Sequence, residues 1–168
     1  MRILFVHNSY QQAGGEDNVL NFEMNLLSLN GQTVSLAVKQ NDDIHSFKTK
    51  AKAFWRARYS IPSRQWMDEK LAEHNPDVVH VHNFFPLLSP SIYDACFRAE
   101  VPVVQTLHNY RTICPGALLL RDGHICEKCV TGSPYCAVLH RCYRNSVPGS
   151  LAAARMVDYH RKKRTWQH

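Results

Sequence analysis

The 168-residue sequence contains no apolar run approaching the ~20 residues that a membrane span needs. It also lacks a secretory signal. The N-terminal apolar stretch, Arg2-Ile3-Leu4-Phe5-Val6-His7, is only about half a dozen residues long and runs into polar Asn8, Ser9, Gln11 and Gln12. A cytoplasmic location is therefore expected. No basic-aromatic RNA motif and no zinc-finger pattern of Cys and His is present, which sets nucleic acid aside as a partner. Internal repeats and low-complexity segments are absent. No pair of carboxylates points to the double-displacement site of a glycosidase.

What is present is a basic chain of ordinary composition. Net charge is +6, pI is near 9.1, and 45% of residues are hydrophobic. The length fits one domain of ~100–200 residues with a single core. The charge balance fits an anionic lipid or a phosphorylated substrate as well as nucleic acid. Six cysteines in a cytosolic chain argue for metal or thiol chemistry before disulfides.

The first 31 residues read as strand, Gly14-Gly15 loop and helix, the helix running from Glu16 to a stop at Gly31. Such a junction gathers unpaired backbone N–H groups and the positive end of a helix dipole, a setting suited to a sugar diphosphate. Two glycines let backbone approach a ligand closely. The same junction also serves tight packing alone. Further strands are expected at 33–38, 78–82 and 102–108, and helices at 44–58, 63–74, 90–99 and 148–166. Apolar strands alternating with helices predict an α/β fold, a Rossmann-like doubly wound parallel sheet. From Asn109 to about Asn145 this rhythm stops, which predicts a Cys-rich insertion after the fourth strand.

In an open parallel sheet, ligands bind beyond the carboxyl ends of the strands. Three His-Asn pairs fall there: His7-Asn8, His82-Asn83 and His108-Asn109. His82 and His108 are read as functional, since the apolar run stops at each. His7 and His80 are read as satisfied structural histidines, the face taken by His80 depending on its phase in the strand.

With these motifs in order, the chain resembles the N-terminal half of a family 4-like glycosyltransferase. The resemblance rests on residues 1–7 with Gly14-Gly15-Glu16, on residues 77–83, and on residues 103–111. It implies a GT-B architecture in which residues 1–168 form the acceptor-side Rossmann-like domain. It further implies a retaining reaction with a nucleotide-diphosphate sugar as donor and a sugar or lipid-linked acceptor, in polysaccharide or glycolipid biosynthesis. By resemblance, Gly14 and Gly15 approach the donor diphosphate, with Glu16 following them. His108 lies by the transferred sugar, and His82 and Asn83 lie on the acceptor side. The donor-binding domain of the family is missing from the sequence, so turnover by this chain alone is not expected. An excised domain, a truncated product and half of a split enzyme paired with a donor-domain chain all fit. A reading of another class is a non-catalytic, metal-stabilised binding module.

Cys114, Cys126, Cys129, Cys136 and Cys142 crowd one segment. The C-x-x-C of Cys126 and Cys129, with Cys114 and Cys142, offers four thiolates for a structural zinc. Such a site would order a segment without α/β rhythm. Cys136 and His140 are spare ligands, and Cys96 reads as a buried thiol. The alternatives are unligated thiols, a redox pair and an iron–sulfur cluster. Finally, Phe47, Ala51, Phe54, Trp55 and Arg58 share one helical face among lysines. That stripe fits either a core-facing amphipathic helix or peripheral contact with the inner face of the cell membrane. The run Arg161 to Arg164 reads as a solvated helix end.

Overall fold

The computed structural model describes residues 1–9, 14–40 and 54–166. The described residues divide between two compact units. One comprises residues 1–50 and 60–108, the other residues 51–59 and 109–168. The turn at Asn41-Asp42-Asp43 and most of the expected helix 44–58, including Phe47 and Ala51, lie outside the described residues.

The first unit is built on four parallel strands: β1 (Arg2–Ser9), β2 (Thr33–Gln40), β3 (Val78–Val81) and β4 (Val103–Gln105), in the order β2-β1-β3-β4. β1 pairs with both β2 and β3, so the strand order reverses beside it. This is the topological switch point at which open α/β sheets bind ligands. Helix α1 (Gly15–Leu29) crosses from β1 to β2. It closes with a two-bond cap in which Gly31 N–H donates to Ser28 O and Gln32 N–H to Leu27 O. That cap needs a left-handed residue, and Gly31 supplies it at φ 75°. Helix α2 (Ile61–His74) starts at Ser60, whose hydroxyl accepts from Ser63 N at 3.1 Å. Pro62 sits in its first turn, where a missing N–H costs nothing, rather than separating two helices. Helix α3 (Ser91–Arg98) leads into β4.

Pleating sorts the side chains onto two faces. Ile3 and Phe5 pack with Leu20 of α1, joined by Met24, Leu27, Val34 and Val78. On the other face Leu4, Val6, Val79 and Val81 are fully buried, and Tyr93 of α3 hydrogen-bonds Gln105 of β4. Helices therefore cover both faces, as expected of a doubly wound sheet. β3 and β4 are shorter than the sequence predicts: the ladder ends at Val81 and Gln105. His82 stands one residue past its strand, and His108 lies in the segment after β4.

The second unit has little regular sheet. It contains a two-residue hairpin, β5 (Leu120–Arg121) with β6 (His124–Ile125), and two single-turn helices, α4 (Lys128–Thr131) and α5 (Cys136–Leu139). Helix α6 (Val147–Lys163) is capped by Ser146, whose hydroxyl accepts from Gly149 N at 3.2 Å. It buries Ala152, Ala153, Met156, Val157 and His160. Both ring nitrogens of His160 are engaged, with Thr165 Oγ1 at 2.8 Å and Arg58 O at 2.7 Å. Cation–π contacts add to this packing: Arg155 lies over the rings of Phe54 and Trp55, and Arg58 over Tyr159. The basic end of α6 is not all solvated. Arg161 donates to Gly132 O and Cys129 O, which ties the helix to the cysteine segment. No helix among the described residues is long and apolar enough to cross a membrane.

Candidate functional site

At the carboxyl end of the sheet, on the face covered by α1, the apolar column of the strands gives way to histidines. Following Ile3 and Phe5, β1 presents His7; following Val78, β3 presents His80, and His82 stands just past its end. Helix α1 answers with carboxylates. His7 Nε2 lies 3.0 Å from Asp17 Oδ1. Glu23 Oε2 lies 3.2 Å from His82 Nε2 and 3.7 Å from His80 Nε2. His82 Nδ1 faces His108 Nε2 at 3.0 Å, and His80 Nε2 bonds the Thr106 hydroxyl at 2.8 Å. Four imidazoles, two carboxylates and a hydroxyl thus form one polar layer above the apolar core.

Burial governs its electrostatics. His82 is held down to about 4, chiefly by burial and then by the neighbouring imidazoles of His80, His108 and His7. His7 is also lowered: burial outweighs the opposing pull of Asp17. Burial lowers His80 and His108 as well, against the carboxylate of Glu23. At neutral pH the cluster is a set of neutral rings, each with one donor and one acceptor nitrogen. His82 itself has a fully buried side chain. His108 beside it is only partly buried.

Asn8 and Asn83 hold the strand ends together. Asn8 N–H donates to Asn83 O at 2.9 Å, and the Asn83 side-chain amide donates to Asn8 O and to Glu16 Oε1, each at 3.0 Å. Asn83 Oδ1 accepts from Phe85 N, and the Asn8 side chain bonds Phe85 O and Leu87 N. The amide of Asn83 is therefore occupied within the chain. It positions β1, β3 and the start of α1. Asn109 belongs to the second unit, where its Oδ1 accepts from Arg111 N at 3.0 Å and shapes a local turn.

Gly14 and Gly15 open α1 as the sequence predicts. A Cβ at either position would meet no atom of the described residues within 4 Å. The chain's own packing does not require glycine there. The Gly14 N–H, however, donates to Asp17 Oδ2 at 2.6 Å. One of the expected anion-binding donors is thus already taken by a carboxylate of the same helix.

The carboxyl-end placement of these groups, at the switch point of a parallel sheet, is where open α/β sheets of many families hold their ligands. The comparison with known families decides which: the model of Glycosyltransferase Family 4 matches residues 21–163. The chain belongs to glycosyltransferase family 4. The match takes in Glu23, His80, His82, Asn83, His108 and every cysteine of the chain, whereas β1 and the glycine loop precede it. No curated protein and no solved structure matches the chain.

In this family 4 domain all six cysteines are free thiols, Cys96 buried in α3 of the first unit and the other five in the second. Burial, reinforced by the adjacent thiols of Cys114 and Cys136, pushes Cys129 up to about 11. Cys142 is raised by burial and by Cys114 and Cys126. Cys129 Sγ donates a long bond to Pro134 O. The donor set fits zinc, but the sulfur atoms do not stand at tetrahedral spacing. Among the described residues, only Glu23, His80 and His82 bring three ligand atoms within 4.8 Å of one another.

Of these groups the sequence reading singles out His82 and His108 as functional and His7 and His80 as structural; the structure brings all four together and adds Asp17 and Glu23. The available signal was the period of two in residues 78, 80 and 82. It places His80 and His82 on one face, but nothing in the sequence marks the carboxylates of α1 that meet them.

Proposed function

We propose that this domain forms the acceptor side of a retaining, nucleotide-sugar-dependent glycosyltransferase, acting in polysaccharide or glycolipid synthesis and working together with a donor-binding domain. The observation that carries the reading is family membership combined with the histidine layer at the switch point of the sheet. The donor is a nucleotide-diphosphate sugar and the acceptor a sugar or a lipid-linked sugar. His108, the outermost imidazole, hydrogen-bonds the sugar being transferred. His82 stands behind it and fixes its ring. The open space beside Gly14 and Gly15 is where the diphosphate approaches, its charge met by the N-terminus of α1. Bringing donor and acceptor together needs groups on both sides of the reacting bond.

The test joins this chain to a donor-binding domain, or mixes the two, and supplies labelled sugar nucleotides with candidate saccharide acceptors. Transfer with the anomeric configuration of the donor kept in the product is the expected result. Hydrolysis alone, or product of inverted configuration, would contradict the reading.

A structural zinc on Cys114, Cys126, Cys129 and Cys142 is part of the same proposal. Its support is the C-x-x-C spacing of Cys126 and Cys129 together with Cys114 and Cys142 in the same segment. Elemental analysis should find about one zinc per chain on the thiols, lost in Cys126→Ser and Cys129→Ser. Metal content unchanged by those substitutions would remove the thiol site.

A further inference from the structure

We propose that Glu23, His80 and His82 form a binding site for a divalent transition-metal ion of the zinc class. The site is separate from the cysteines and does not depend on the role given to His108.

The donor set has two imidazoles and one carboxylate, a combination suited to zinc with a remaining position for water. His80 lies in β3 and His82 one residue past its end, two apart in extended backbone, and Glu23 of α1 reaches both rings. Bonds of ~2.0–2.1 Å in a tetrahedron put ligand atoms about 3.3 Å apart. Glu23 Oε2 stands 3.2 Å from His82 Nε2 and 3.7 Å from His80 Nε2, and all three ligand atoms fall within 4.8 Å of one another. The atoms are therefore close to coordination spacing before any movement.

The independent observation is His82 Nε2. It is buried and has no hydrogen-bond partner among the described residues, even though Glu23 is near. A buried ring nitrogen left in this state is costly, and an ion at the centre of the triad would satisfy it. The opposite nitrogen is already held as ligating histidines require: Nδ1 faces His108 Nε2 at 3.0 Å. With metal on Nε2, Nδ1 carries the proton and donates to His108. His108 must then keep its own proton on Nδ1. Binding also requires His80 Nε2 to give up the Thr106 hydroxyl. The ion would thus set the tautomer of the outermost histidine, a chemical consequence beyond holding α1 to β3.

The test uses the whole chain, stripped with chelator and titrated with cobalt(II), which reports ligand type by its spectrum. The expected result is one cobalt per chain bound without a thiolate-to-metal charge-transfer band, in addition to any thiolate-bound cobalt. Glu23→Gln and His82→Gln should weaken that ion by more than the ~10–100-fold typical of changes to groups behind a metal ligand. Cys126→Ser should leave it in place. Glu23 is partly exposed, so Glu23→Gln keeps the variant folded if His82→Gln does not, and far-ultraviolet circular dichroism checks both. Cobalt bound only through thiolates, or nitrogen-bound cobalt unaffected by Glu23→Gln, would overturn the proposal and leave Glu23 as the ion-pair partner of two rings.

Discussion

The two faces of the central sheet use the same strands for different ends. Toward α2 and α3, Leu4, Val6, Val79 and Val81 are fully buried and apolar along the strands. Toward α1, Ile3, Phe5 and Val78 supply core only as far as mid-sheet, and His7, His80 and His82 follow. One face is a packing surface from end to end. The other changes from packing to chemistry within two residues. The difference shows how a fold carries a buried polar cluster: each histidine is backed by an apolar neighbour in the strand and met by a carboxylate from the covering helix.

If that division is real, damage to each face should read out differently. Leu4→Ala removes a fully buried side chain from the packing face and should cost about 2–5 kcal/mol in denaturant unfolding. A loss well under 1 kcal/mol would mean that this face is not the main core.

The histidine face should respond to pH instead. His82 is held down to about 4 in the folded chain and titrates near 6.5 when unfolded. The unfolded state therefore takes up its proton first as pH falls. Stability should be complete above about 6.5 and decline between about 6.5 and 4, by up to about 3 kcal/mol for this group. The lowered values of His7, His80 and His108 act in the same direction. Thermal melts of metal-free protein from pH 7.5 to 4.5 should show the decline, and His82→Gln should flatten it. Melting temperatures that rise on acidification would contradict the assignment.

The smallest expected effect is at the mouth of the cluster. Gly15→Ala adds a methyl group where no atom of the described residues lies within 4 Å. It should leave stability within about 1 kcal/mol of the parent. Donor affinity should fall nonetheless, because the methyl group would stand where the diphosphate approaches. Unchanged affinity in a titration with sugar nucleotide would detach the glycine loop from the donor.

Much of the packing face was legible in the sequence. Apolar strands and the Gly31 stop place the elements within a few residues. The chemical face was only half legible. His82 and His108 stand where apolar runs end, and that boundary is a sequence property. Glu23 and Asp17 carry no such mark, because a carboxylate on a helix surface reads as a solvated group until the partner strand is known. Strand β4 reads as longer than it is because residues 106–108 look strand-like, yet β3 ends at Val81 and leaves them little to pair with. In the second unit the C-x-x-C spacing is plain, but the distance between sulfur atoms depends on contacts such as Arg161 with Cys129 O, which no local pattern announces.

The measurement that bears most directly on the account is turnover by His108→Ala in the chain joined to a donor-binding domain, taken alongside its unfolding curve. His108 is the outermost ring of the cluster, and its loss should lower kcat by about 100-fold, the scale of removing one preorganised donor, while the unfolding midpoint stays near that of the parent. Parent-like turnover with an unchanged midpoint would mean that the histidine layer serves the fold alone.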